Sequence, residues 1–165
     1  MAKRMTAIAE RPSADLSELW SHVRTGHKEG HYYLSLFGYR NYDPVHLVEQ
    51  IARGFSYAAF ERFLRNTDLP QRILTAVAGI PERTLARRKD AGRFNPDESD
   101  RLARTSRVFA RAIELFEGDA FKARDWLLSP AHALGGQMPL HFASTDVGAI
   151  EVENLIGRLE YGIPS

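Results

Sequence analysis

A chain of 165 residues can bury one sizeable core or two small ones, and 44% hydrophobic with 26% charged residues is the balance of a globular protein rather than a disordered one. No apolar run approaches the ~20 residues of a spanning helix, and the start "MAKRMTAIAERPS" has no apolar stretch ahead of a cleavage site, so a cytosolic protein is expected. The absence of cysteine excludes disulfides, thiolate nucleophiles and cysteine-ligated zinc.

A net charge of +1 hides a division along the chain. Between 81 and 111, nine basic residues (Arg83, Arg87, Arg88, Lys89, Arg93, Arg101, Arg104, Arg107, Arg111) stand against five acidic ones. From 112 onward, three basic residues stand against eight acidic ones. Such a reversal suggests two surfaces for two kinds of partner.

In chain order, residues 1–42 are the least regular, because Gly26, Gly30 and Gly38 interrupt any helical pattern; the first dozen are expected to be mobile. Helix punctuation then takes over. Asp43 with Pro44 caps and starts "PVHLVEQIAR", which Gly54 closes, and Ser56 caps "YAAFERFLRN". Asp68 and Gln71 have the spacing of a capping box ahead of "ILTAVA". Asn95, Pro96 and Glu98 supply an N-cap, a first-turn proline and a box partner to the longest helix, whose Leu102, Ser106, Phe109, Ile113 and Phe116 share a face up to Gly118. Asp119 caps "AFKARDWLL", and Thr145 caps "DVGAIEVENLIGRLEY" as far as Gly162. With hairpin signals almost absent, the expected fold is all-α, with a segment 1–42, a DNA-binding unit 43–94 and a second helical unit 95–165.

The stretch "VAGIPERTLARRKDAGRF" carries the first functional signal. Ile73, Leu74 and Val77 form the inner face of one short helix, Gly79 makes a tight turn, Ile80 plugs the joint and Pro81 starts a second helix, which is helix-turn-helix spacing. At about 100° per residue, Arg83 and Arg87 lie nearly opposite Leu85, so with Leu85 inward they point out, in a sector shared with Ala86 and Asp90. Arg88 and Lys89 fall nearer the buried edge, where their stems can lie along the core while their charges reach phosphates. Arginine forks suit guanine O6 and N7 in a major groove, and Thr84 suits a phosphate. A merely solvated charged face is the bland alternative, and Glu82 and Asp90 dilute the positive field.

The segment "LPQRILTAVAGIPERTLARRK" resembles the Xre-type helix-turn-helix, and "RDWLLSPAHALGGQMPLHFASTDVGAIEVENLIGRLEYGIPS" is similar to the toxin-binding domain of the Xre/MbcA/ParS antitoxins, with matches that include Trp126, Pro130, Gly135, Gly136, Pro139, Thr145, Gly148, Leu155, Gly157, Arg158 and Gly162. With "RFNPDESDRLAR" the resemblance covers roughly residues 45–165. It implies a bacterial type II antitoxin that is not itself an enzyme. Such a protein binds its own operator and neutralises a RES-fold toxin that destroys NAD, or in some branches an ADP-ribosylating relative. It further implies that the C-terminus enters the toxin's active-site cleft, here Tyr161, Gly162, Ile163, Pro164 and Ser165, with Arg158 and Glu160 at the approach. The chain physics agrees in part: Gly162 can end the helix left-handed, Pro164 stiffens the last residues and the Ser165 carboxylate is an anion suited to phosphate-binding groups. Paired operator half-sites lead to the expectation of a homodimer, and of a toxin–antitoxin hetero-oligomer, with no membrane partner.

Other chemistry is poorly supported. His22, His27 and His31 have no carboxylate at ligand spacing and read as loop residues, so no metal and no cofactor is expected. Glu151 and Glu153, two apart, face different directions on a helix, and Glu114 with Glu117 has the three-residue spacing of a solvated face, so neither reads as an acid–base couple. Gly135 and Gly136 read as a turn, Trp126 as core. Two further classes remain open on the residues alone: a plain helix-turn-helix transcription regulator whose C-terminal helices dimerise or sense a ligand, and an adaptor with a non-binding helix-turn-helix. The block from "ALGG" to "GRLEYG" favours the antitoxin.

Overall fold

A computed structural model describes residues 13–26 and 30–163. Among them the order is α1 (Ala14–Arg24), a 3₁₀ segment (Tyr32–Phe37), α2 (Pro44–Arg53), α3 (Tyr57–Thr67), α4 (Gln71–Val77), α5 (Glu82–Ala91), α6 (Pro96–Leu115), α7 (Ala120–Leu127), a 3₁₀ turn (His132–Leu134), α8 (Pro139–Phe142) and α9 (Asp146–Glu160). The fold is all-α; the described residues contain no strand, only two isolated bridges, Ser56 with Arg93 and Ala131 with Gln137. None of these helices is long and apolar enough to cross a membrane.

Most helix starts follow their capping residues. Asp43 accepts from Val45 and His46, Ser56 from Ala59, Asp119 from Lys122 and Thr145 from Gly148. Asn95 and Glu98 form the reciprocal box, each side chain accepting the other's backbone N–H. The Asp68–Gln71 box does not form. Pro70 occupies the N-cap of α4 with no side-chain bond, and Asp68 instead closes α3 in the left-handed region at φ 51°. A residue that ends one helix left-handed cannot also supply the extended backbone an N-cap needs.

The segment before residue 43 is more ordered than its glycines suggest. Ser13 caps α1, accepting from Leu16, and Leu19 is fully buried. Asp15 lies buried where it accepts from Arg40 at 2.7 Å and from Asn66 at 3.0 Å, and Asn66 also donates to the Leu36 carbonyl at 2.8 Å. This network fastens α1 and the 3₁₀ segment onto α3. The expected mobility of the first dozen residues concerns positions outside those described.

One contiguous core runs from Leu19 to Ile156. α6 is its axis: α1, α2, the 3₁₀ segment, α7 and α9 all contact it. Phe37 stacks on Phe63 at 4.7 Å, Phe63 meets Phe109 edge-on at 6.3 Å and Phe55 N–H donates to Ser99 at 2.8 Å, and the last two contacts cross the expected division at residue 95.

Candidate functional sites

α4 and α5 make the helix-turn-helix. Leu74 and Val77 are buried beneath α4, Gly79 turns at φ 64° where other residues are strained, and Ile80, 3% exposed, fills the joint. Pro81 caps α5 and Glu82 is its first residue. Arg101 Nε donates to the Ala78 carbonyl at 2.6 Å, bracing the turn from α6. Leu85 is buried; Arg83, Ala86, Arg87 and Asp90 face solvent, and Thr84 is half-buried with its hydroxyl 3.3 Å from Arg87 Nη2.

Arg88 is placed differently from its expected part. Its Nε and Nη2 grip the two Glu98 oxygens at 2.8 and 3.1 Å, a bidentate pair that raises its already high pKa through the hydrogen bond. The side chain ties α5 to the start of α6 and is not free to meet a phosphate. The same fate meets most of the basic run. Arg93 donates to the Gly54 carbonyl at 2.5 Å, Arg104 pairs with Asp146 at 2.7 Å, Arg107 with Glu153 at 2.5 Å, and Arg111 with Glu114 and, at 3.3 Å, Glu160. The nine cations of 81–111 therefore reduce to three without an acidic or carbonyl partner among the described residues, Arg83, Arg87 and Lys89, all on α5. Three of the nine cations and three of the eight acidic residues after 112 are the two sides of an internal ladder between α6 and α9 rather than free surface charges.

At the far end of α9, Tyr161, 83% exposed, is the C-cap. Gly162 follows at φ 66°, its N–H bonded to Leu159 and that of Ile163 to Arg158, at 3.2 and 2.9 Å. This double bond pattern fixes the direction in which the chain leaves the helix. Pro164 and Ser165 lie outside the described residues. Glu160 is held by Arg111, whereas Arg158, half-buried, has no acidic partner among the described residues. Arg111, Glu153, Asn154, Gly157, Arg158, Tyr161 and Ile163 line an open groove of about 620 Å³.

The remaining candidates find other roles. Trp126 packs on the core, its ring 6.4 Å from Phe116, and Gly135 and Gly136 turn a short loop at φ 66° and 80°. His22 bonds the Glu18 carbonyl, and His31 Nδ1 lies 2.8 Å from the Tyr33 hydroxyl; His27 is outside the described residues, among which no three potential ligands cluster. Burial, aided by the Arg107 charge, lowers the His31 pKa, and burial pushes Tyr33 up to about 12.

Two family descriptions match. Residues 46–107 fit the antitoxin Xre-like helix-turn-helix domain and residues 111–162 the antitoxin Xre/MbcA/ParS C-terminal toxin-binding domain. The chain belongs to the Xre antitoxin family. Relatives include an antitoxin Xre of Yersinia enterocolitica, 42% identical over 118 residues, which span 71% of this chain and 80% of that protein. Another from Photorhabdus laumondii is 46% identical over 90 residues, 54% of this chain and 61% of its own length, and one from Pseudomonas putida 36% over 84 residues, 50% and 52%. In this Xre-family chain the toxin-binding match ends at Gly162, where the fixed exit from α9 begins, and the helix-turn-helix match encloses Arg83, Arg87 and Lys89 of α5.

Val147 and Ile150, 72% and 50% exposed on α9, escaped the sequence reading. Their spacing to Asn154, Arg158 and Tyr161, in steps of three and four, was the signal available.

Proposed function

We propose that this antitoxin neutralises a RES-type, NAD-degrading toxin by placing its C-terminus in the active-site cleft, and that it represses its own operon through α5. It acts as a binding protein in the bacterial cytoplasm, as a homodimer on paired operator half-sites and as a hetero-oligomer with toxin, and carries no catalysis of its own. The observation that supports the plug is the exit from α9: Tyr161 stands almost fully exposed beside Gly162, and two backbone bonds hold the following residue in one direction. A probe fixed in this way loses little entropy on binding. Tyr161 offers apolar area and a hydroxyl to such a cleft. On the DNA side, Arg83 and Arg87 are the base-reading candidates, with Thr84 and Lys89 beside the phosphates, and Arg88 in a bracing part through Glu98.

NAD consumption by purified toxin with saturating antitoxin tests the plug. Deleting Ile163–Ser165 is expected to leave operator binding intact and restore NAD loss; equal inhibition by full-length and shortened chains would show that the tail is a bystander.

A further inference from the structure

α9 is amphipathic in an unusual sense, because both of its long faces are built for contact. Inward, Gly148, Ala149, Val152, Leu155 and Ile156 are buried. Outward, Val147, Ile150, Asn154, Arg158 and Tyr161 follow one another in steps of three and four, one stripe along the whole helix. Of the eight large apolar side chains left exposed among the described residues, five lie between 147 and 163: Val147 (72%), Ile150 (50%), Leu159 (36%), Tyr161 (83%) and Ile163 (51%). That concentration differs from the single scattered residues normal on a monomer's surface, and marks an interaction site.

Gly157 adds a separate observation. A glycine inside a helix weakens it relative to alanine. Gly148 has a reason inside the chain: a Cβ there would sit 1.8 Å from the Phe142 carbonyl oxygen. At Gly157 a Cβ would meet nothing within 4 Å, on the wall of the groove that Arg158 and Tyr161 also line. The missing side chain makes way for no contact among the described residues and leaves room for a partner to approach the helix backbone closely. Arg158 supplies the charge. Arg104, Arg107 and Arg111 each hold an α9 carboxylate, so the helix is pinned at its start, middle and end, while Arg158 on the outer side has none among the described residues.

We propose that the outer face of α9, with Val147, Ile150, Asn154, Gly157, Arg158 and Tyr161, is a preformed ridge that seats in an apolar groove of the toxin bearing a carboxylate opposite Arg158. The occupant is the toxin because the ridge lies within the matched toxin-binding domain and runs without a break into the C-terminal exit. The inference deepens the reading above. The ridge supplies the affinity and the tail the occlusion, so the two can be separated. This is helix-in-groove recognition with anchors at i, i+3, i+7, i+11 and i+14.

The test uses the full-length antitoxin and a toxin of the proposed RES type, with affinity by calorimetry, NAD consumption, operator gel shift and thermal melting of the free antitoxin measured together. Val147→Asp with Ile150→Asp should weaken toxin binding by about 100-fold or more, the size expected of central apolar anchors. Arg158→Glu should weaken it by about 10-fold or more through the carboxylate it would then face. Gly157→Leu separates docking from folding: its melting temperature should hold or rise, since leucine favours helix, while toxin affinity falls by about 10-fold. Operator binding should not change in any of them. Deleting Ile163–Ser165 should keep affinity within about 10-fold while inhibition is lost. If the shortened chain still inhibits while the ridge variants do not, the plug reading fails and the ridge stands. If the double aspartate and Gly157→Leu variants bind toxin within about threefold of the original chain, the ridge proposal is overturned, whatever the tail does.

Discussion

Arg88 holds both oxygens of Glu98, and the same carboxylate accepts the Asn95 backbone N–H at 3.0 Å, so one side chain caps α6 and clamps α5 at once. Arg88→Ala is therefore expected to lower the melting temperature by several degrees and to leave the salt dependence of operator binding nearly unchanged, because a paired arginine displaces no counterions from DNA. Glu98→Gln should give a similar loss, and the double variant little more than either alone. Calorimetric melts and gel shifts at two salt concentrations decide between this bracing part and a phosphate contact.

Arg87 and Lys89 should behave differently, since neither is claimed by an acidic group among the described residues. Arg87→Ala is expected to weaken operator binding by about 1–3 kcal/mol and relax sequence preference. Lys89→Ala should act evenly across sequences and reduce the salt slope by about one. Unchanged affinity in both would remove α5 from the interface.

The division at residue 95 cuts through the core, and this gives a third expectation. A fragment from Asn95 to Ser165 loses Phe55 and Phe63 as partners of α6 and should show broad melting and poor NMR dispersion rather than a folded toxin-binding unit. In the intact chain, an Arg107–Glu153 double-mutant cycle should give a coupling of roughly 0.5–1 kcal/mol that shrinks with added salt, as befits a pair still partly open to water.

Much of this was readable from local sequence. Caps such as Ser56, Asn95, Asp119 and Thr145 each accept from the backbone three residues on, so a short window contains both donor and acceptor. The outward turn of Arg83 and Arg87 followed from one buried leucine on a regular helix. What a window cannot hold is a partner 40 or 50 residues off. Arg104 and Arg107 look like free charges until Asp146 and Glu153 arrive from α9, and "YYLSLF" has no period to betray it because its six residues are all buried, fixed by Asn66 from another helix. α1 was legible in principle, with Leu16, Leu19, Trp20 and Val23 at helical spacing after Ser13. Glycines on its far side masked it.

His31 gives a pH expectation. Its folded pKa lies below the ordinary 6.5, so folding favours the neutral ring; the contribution is full above 6.5 and is lost as pH falls through the lowered value. Tyr33 works in the opposite sense, its contribution full below 10 and lost as pH rises toward about 12. Melting temperature should accordingly drop on acidification below about 6.5, and His31→Asn should flatten that arm while leaving the alkaline one. An acid arm of unchanged steepness in the variant would assign the loss to other groups.

α6 holds the turn of the helix-turn-helix at Ala78 and the length of α9 through Arg104, Arg107 and Arg111. A chain joined in this way is expected to open as a whole. A cellular protease that captures the opened form destroys the α5 face and the α9 ridge in the same event, so the two share a single lifetime. Turnover of the whole polypeptide would thereby end both proposed activities together, whereas clipping at the exit from α9 would end inhibition alone.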